Sequence, residues 1–245
     1  LHSTSRRQRQ MCIRDRIKRM IWYKKAHEIL EDDKAYSTTP DIIDFSYAIR
    51  PFLYYLKKQI EQIKAIGFTI SDVEAFYIHL GQEFIQIAAK TLVYDLYEQK
   101  KKFAFKGKTS NDRFVYYMIK RFGQKTSLME FYEDYPVLLR LLTERVLFHA
   151  DNFKEFIRSI KESLPDFEKT FSLSKPYRLS NISVGAGDSH GKGKSVILFD
   201  LNDQRFAFKY KNLEIGERFN SFLEYIERQT GKEFFKIKRI IKRNY

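Results

Sequence analysis

The apolar residues of this chain change their period once, at Lys175-Pro176, and that change restricts the fold more than any other feature. Upstream, apolar side chains recur at the spacing that gives a helix one buried stripe. Downstream they alternate, as in a strand with one buried face. The expectation is an α+β chain: a mostly helical N-terminal region, then antiparallel strands. No internal repeat or low-complexity tract occurs.

Within the helical region, Ile17–Glu31 reads as a short helix with Ile17, Ile21, Trp22, Lys25 and Ile29 on one side, and its His27 as a surface or packing histidine. Ser37–Pro40 breaks the pattern, and Asp41 is placed to cap the next helix. That helix should kink or restart at Pro51, which lacks an N–H, and stop at Gly67. Ser71-Asp72-Val73-Glu74 is a capping box. The helix after it keeps Phe76, Leu80, Phe84, Ile87, Ala88 and Leu92 on one stripe, with His79 an ordinary neighbour. Lys100–Lys108 reads as a solvated basic linker, and Thr109–Phe122 as a helix ended by Gly123. Ser127 and Glu130 form a second box, and Pro136 suits the first position of a further helix. The run from Tyr135 to Phe171 reads as two helices separated near Asp151. The aromatics of this region follow helical spacing, so they read as core rather than as platforms for bases.

Beyond Pro176, Tyr177–Val184, Lys194–Leu201 and Arg205–Lys211 read as strands, the last two joined by an Asn202-Asp203 turn. Alternation puts Phe206, Phe208 and Tyr210 on one face and Arg205, Ala207, Lys209 and Lys211 on the other. Gly216–Gln229 reads as a helix stopped by Gly231, and residues 235–242 lean towards a strand. Between the first two strands lies a glycine-rich stretch, VGAGDSHGKGKSV. It is not a Walker A loop: counting back from Gly193-Lys194-Ser195, the first glycine position falls on Asp188, and a strand follows where a helix is required. A dinucleotide fingerprint fails as well, because its third glycine falls on His190.

Strand, glycine-rich turn, strand, tight turn and strand with an outward lysine is the layout of a kinase small lobe. Lys209 then binds phosphate; on layout alone it serves equally as the solvent-facing residue of a half-buried strand. Asp188 and His190, two residues apart in extended backbone, point the same way, which suits a carboxylate orienting an imidazole. The competing reading is an Asp that hydrogen-bonds its own turn.

The formal charge of +14 limits partners less than its size suggests. Residues 1–16 hold +4 of it, and the rest is spread over Lys100–Lys108, Lys232–Arg243 and scattered positions. That distribution fits an acidic peptide, nucleotide phosphates, nucleic acid or a solvated surface. The single Cys12 excludes disulfides within the chain and a multi-cysteine zinc site. No run is long and apolar enough to span a membrane and no secretory signal is present, so a cytoplasmic protein is expected. The string MCIRDR at Met11–Arg16 resembles a translated sequencing adapter, and residues 1–16 are set aside as an artefactual tail. The expected organisation is that tail, a helical region over 17–175 and the start of a β lobe over 176–245.

The segment GAGDSHGKGKSVILF, followed by FAFKYKNL, resembles the class II lanthipeptide synthetases, bifunctional enzymes with an N-terminal dehydratase domain. Asp188, Ser189 and His190 match that family's Gly-Asp-x-His block, Gly193 to Val196 its Gly-Lys/Arg-x-Val block, and Phe208 to Lys211 its Tyr-Lys-Pro-Arg strand end. The resemblance runs from about Phe45 to Tyr245. It implies a lipid-kinase-like domain that phosphorylates Ser and Thr of a leader-bearing precursor peptide with ATP and Mg2+, then eliminates phosphate to leave dehydroalanine or dehydrobutyrine. Lys209 is then the residue contacting ATP phosphates, and Asp188 with His190 serve the elimination. Tyr210 stands where the family has proline. The family's catalytic-loop Asp, His and Asn, its second magnesium-binding Asp and its zinc cyclase domain correspond to positions beyond Tyr245. The expectation is therefore a fragment, inactive alone, whose partners are the precursor peptide and the remaining lobe and cyclase. Two alternatives stand beside it: another kinase-like phosphotransferase, needing Lys209 but not Asp188 and His190, and a basic nucleic-acid-binding protein.

Overall fold

The computed structural model describes residues 18–37, 43–63, 68–235, 237 and 239–241. The tail over 1–16, the cap at Asp41 and the stop at Gly67 lie outside these residues. The architecture is α+β, mostly helical with one four-stranded sheet. Two compact units divide it. The first holds residues up to Gln62 and Tyr77–Asp151; the second holds Ile63–Phe76 and everything from Asn152.

The first unit is helical: α1 (Ile21–Glu31), a 3-10 turn (Asp33–Tyr36), α2 (Ser46–Glu61), α3 (Glu74–Lys102, from Tyr77 onward), α4 (Ser110–Phe122), α5 (Lys125–Asp134) and α6 (Pro136–Phe171, up to Asp151). Of the stripe expected on α3, Leu80, Phe84, Ala88 and Leu92 are buried here, as expected of a helix with one apolar face. They share the core with Leu56 and with Phe52, Tyr117, Phe122, Phe131 and Tyr132, whose rings meet edge to face, Phe122 and Phe131 with centroids 5.0 Å apart. These aromatics are core, as their spacing indicated, whereas Tyr94, Tyr97 and Phe103 of the same unit are exposed.

Several local expectations fail for identifiable reasons. α2 passes Pro51 without restarting. α3 continues to Lys102, so the first residues of the basic stretch are its last turn, where cations offset the negative helix terminus. Ser127 is inside α5 rather than capping it, its hydroxyl donating to the Gln124 carbonyl at 3.0 Å. The break expected near Asp151 is absent: α6 is one helix of 36 residues. By contrast, α4 starts where the sequence places it. Thr109 accepts from the Asp112 N–H and the Asp112 carboxylate accepts from the Thr109 N–H, a reciprocal box. Gly107, with φ of +139°, packs against this start so closely that an added Cβ falls 2.9 Å from the Arg113 nitrogen. The Arg113 guanidinium donates to the carbonyls of Gly107 and Lys108.

The second unit is built on the sheet β1 (Phe68–Ile70), β2 (Tyr177–Ser183), β3 (Ile197–Leu201) and β4 (Gln204–Phe208), in that spatial order. β1, not anticipated, runs parallel to β2 with Phe68 opposite Tyr177; the other pairs are antiparallel. Asn202 and Asp203 both have positive φ, 49° and 65°, the mirror-image turn that matches strand twist in a two-residue hairpin. The register of β2 on β3 shifts between Ser180 and Ser183, with Asn181 at φ of 50°, so Leu179 and Ile182 both point inward. Their layer meets the α6 segment from Asn152 onward, where Phe156 packs on Phe199 and Phe208 at 5.2 and 5.4 Å. Phe167 and Phe171 both close on Phe206. After the sheet comes α7 (Glu214–Thr230), which has no buried residue and ends on the left-handed Gly231, the expected stop. The described residues of 235–242 form no strand.

Candidate functional site

The glycine-rich stretch connects the end of β2 to the start of β3, and the hairpin register fixes what else lies there. Ile197, first in β3, pairs with Phe208, last in β4. Lys209 follows Phe208 directly, so the loop carrying Asp188 and His190 and the exit to Lys209 share one end of the sheet. The expected strand ends are trimmed to reach this arrangement. β3 starts at Ile197 rather than Lys194, and β4 stops at Phe208, leaving Lys209 one residue beyond it. The alternation holds: Ala207 and Lys209 are exposed, while Phe206, Phe208 and Tyr210 turn inward.

The loop itself is a small closed hairpin. The His190 N–H donates to the Lys194 carbonyl at 2.8 Å, and the Lys194 N–H returns a bond to the His190 carbonyl at 3.1 Å. Gly191–Gly193 turns between them, with Lys192 and Gly193 both at positive φ. Gly187, at φ of +123°, and Gly191 have open space where a Cβ would project, so the loop backbone is free to be approached by a ligand. Asp188, His190 and Lys209 are all exposed. Among the described residues, none of the three side chains makes a hydrogen bond or ion pair, so the Asp188 carboxylate does not orient the His190 ring here.

What holds the loop was not read from the sequence. The buried Asn152 on α6 donates its amide to the Lys192 carbonyl at 3.0 Å, and Glu155, one turn on, takes the Lys194 ammonium at 2.9 Å. The same ammonium lies 4.9 Å from the Tyr210 ring centre, and the Tyr210 hydroxyl donates to the Asn152 carbonyl at 2.8 Å. Tyr210 thus joins the strand exit, the loop and α6. Asn152 and Glu155 stand three apart and share a helix face. Nothing local marks them, since their partners lie about forty residues away.

On the outer face of the sheet, Asp200 accepts from Asn181 at 2.6 Å and from Arg205 at 2.9 Å. Partial burial opposes the charge, but these two donors prevail and hold its carboxyl below the usual range. At the β3–β4 turn, Arg178 pairs with Asp203 and Asn202 bonds the Arg178 N–H and the Ser174 carbonyl. Two further polar clusters lie in the helical unit. Asp95, buried, accepts from Tyr117 at 2.8 Å, from Tyr135 and from the Arg121 guanidinium. Glu83 accepts from His149 at 2.8 Å and from Arg145. No group of three His, Cys, Asp or Glu side chains gathers as a metal site among the described residues. Nor is any helix there long and apolar enough to cross a membrane.

Comparison with known proteins bears on this sheet and the helix beneath it. Residues 135–245 match a family described as a domain of unknown function, DUF4135. Over 160 residues the chain is 24% identical to the lacticin 481/lactococcin biosynthesis protein LcnDR2 of Lactococcus lactis subsp. lactis. The match covers 63% of this chain and 16% of that protein, so the chain spans only a small part of the relative's length. The loop and the strand end lie within the matched residues, and both similarities agree with the motifs: residues 135–245 resemble the DUF4135 family, and the chain resembles part of a class II lanthipeptide synthetase.

Proposed function

We propose that this chain is the N-terminal part of a lanthipeptide dehydratase, a cytoplasmic enzyme that phosphorylates Ser and Thr of a precursor peptide and then eliminates phosphate. Residues 17–175 are its helical region, and the strands from residue 176 begin its kinase-like lobe. The observation that carries this reading is the register Ile197 to Phe208, which gives the glycine loop and Lys209 one end of one sheet.

The residues present fit the phosphates of ATP: an approachable glycine backbone at Gly187 and Gly191 faces solvent, and Lys209 has an ammonium that no described carboxylate neutralises. ATP supplies the phosphoryl group. The Lys209 ammonium offsets negative charge on the phosphate oxygens, and the loop backbone covers them. The described residues offer no gathered donor set for magnesium, and no step here runs through it. In the elimination, a ring nitrogen of His190 takes the α-proton of the phosphorylated residue. The C–H electrons form the Cα=Cβ bond, and the Cβ–O bond breaks to release phosphate. Asp188 turns to orient the imidazole once substrate is bound, a hydrogen bond absent from the free loop.

In an enzyme carrying the complete dehydratase, His190→Ala accumulates phosphorylated precursor and Lys209→Ala yields neither phosphopeptide nor dehydrated product, both read by mass spectrometry. Unchanged dehydration in His190→Ala removes the elimination role and leaves a plain phosphotransferase.

A further inference from the structure

The helical unit carries a patch that the dehydratase chemistry does not use. Residues 97–125 hold nine Lys and Arg against two acids, a net +7 out of +14 for the chain. Three of the nine are engaged within the fold: Lys101 with Glu98, Arg121 with Asp95 and Asp134, and Lys125 with Asp33. Arg113 is tied to the α4 start. Lys100, Lys102, Lys106 and Lys108 are exposed, and their ammonium groups have no partner among the described residues. Compensation of the α3 terminus explains Lys100 and Lys102 but not Lys106 and Lys108, which lie beyond the helix.

The same surface exposes apolar side chains that a solvated basic face does not need. Tyr97 is 58% exposed and Phe103 45%, and Ile119 on α4 is 48% exposed. Lysine ammonium groups cover one face of each ring: Lys101 lies 4.1 Å from the Tyr97 centre and Lys120 lies 3.8 Å from that of Phe103. Rings covered this way are poor platforms for stacked bases, which argues against single-stranded nucleic acid. They still offer edges and one open face to apolar side chains, while the flanking lysines meet carboxylates.

We infer that this patch, centred on Lys100–Lys108 with Tyr97 and Phe103, docks an acidic peptide segment with interspersed apolar residues. In the enzyme proposed above, that segment is part of the precursor peptide, and the inference rests on that reading only for the peptide's identity. Lys209 is not among the residues of this patch, so peptide binding and ATP binding should be lost independently.

The test titrates the whole chain with a fluorescein-labelled Glu/Leu/Ala peptide, a Gln/Leu/Ala peptide of equal length and a labelled single-stranded RNA. Polarisation should show the acidic peptide bound, with affinity falling as salt rises. Lys100→Glu with Lys102→Glu and Lys106→Glu should weaken it about thirtyfold, taking roughly threefold for each exposed charge contact. Circular dichroism checks that the variant folds, and Phe103→Ala, which changes no charge, should weaken binding on its own. Lys209→Ala should leave peptide binding unchanged while abolishing binding of a fluorescent ATP analogue. Loss of ATP binding by neither Lys209→Ala nor any loop variant counts against the dehydratase reading alone. Absence of acidic-peptide binding, indifference to the triple reversal, or tighter RNA binding lost with the same lysines overturns the docking proposal.

Discussion

Replacing Glu155 by Gln tests whether α6 controls the glycine loop. The substitution keeps the shape and an acceptor oxygen but removes the charge that meets Lys194 at 2.9 Å. Both partners are partly exposed, 33% for Lys194 and 23% for Glu155, so the pair falls between surface ion pairs worth under about 1 kcal/mol and buried charged hydrogen bonds worth about 1.5–3 kcal/mol. A loss of about 1.4 kcal/mol is the working figure, and it raises loop opening about tenfold. The Asn152 bond to Lys192 survives and keeps the loop from detaching entirely. Amide exchange read by mass spectrometry or NMR resolves the effect, because the His190 and Lys194 N–H groups are both held by the loop's own closure. Their exchange should accelerate about tenfold, while the β3–β4 ladder keeps its protection. Unchanged exchange at 190 and 194 refutes the tether. An equal rise in the ladder refutes it too, since Glu155 then supports the whole unit and not the loop.

Two further outcomes concern the helical unit. Asp95→Ala leaves the half-buried Arg121 without its inner carboxylate and two tyrosine hydroxyls without an acceptor, and should cost about 3–5 kcal/mol in urea unfolding. Glu83 has its pKa lowered: burial opposes the charge, but the His149 and Arg145 contacts outweigh it. Its stabilisation is therefore complete above the ordinary carboxylate range and is lost as pH falls through the lowered folded value. The gap in urea midpoint between parent and Glu83→Gln should be present at neutral pH and close in acid. A gap that persists in acid refutes the charge origin.

The parts of the fold legible in the sequence are those whose cause is local. The Asn202-Asp203 hairpin, the Thr109 start of α4 and the Gly231 stop each depend on one or two residues with a special conformation or a short-range bond. The α3 stripe was readable because helical period alone decides it. What failed depended on distant partners. α6 passes Asp151 unbroken, with Phe153 and Phe156 of its second half buried in the sheet unit, and such tertiary burial overrides weak local breakers. β1 is three residues long and exists as a strand because β2 offers it a free edge. For the site, the positions of Asp188, His190 and Lys209 followed from strand spacing, whereas Asn152 and Glu155 were invisible because only the folded chain brings them to Lys192 and Lys194.

The close approach at Gly107 bears on how this protein can be re-engineered. The connection between α3 and α4 has the composition of a spacer, the usual place to splice a tag, a reporter or new termini. Yet its last residues are clamped: Gly107 admits no side chain, and Arg113 and Asp112 hold the backbone on either side of it. Insertions between residues 106 and 109 therefore interrupt the helix start rather than lengthen a tether. The turn at Asn202-Asp203 is tied to Arg178 and Ser174 as well, and the exposed residues 186–189, ahead of the part of the loop that α6 holds, are where added sequence does least harm to the fold and most to the site.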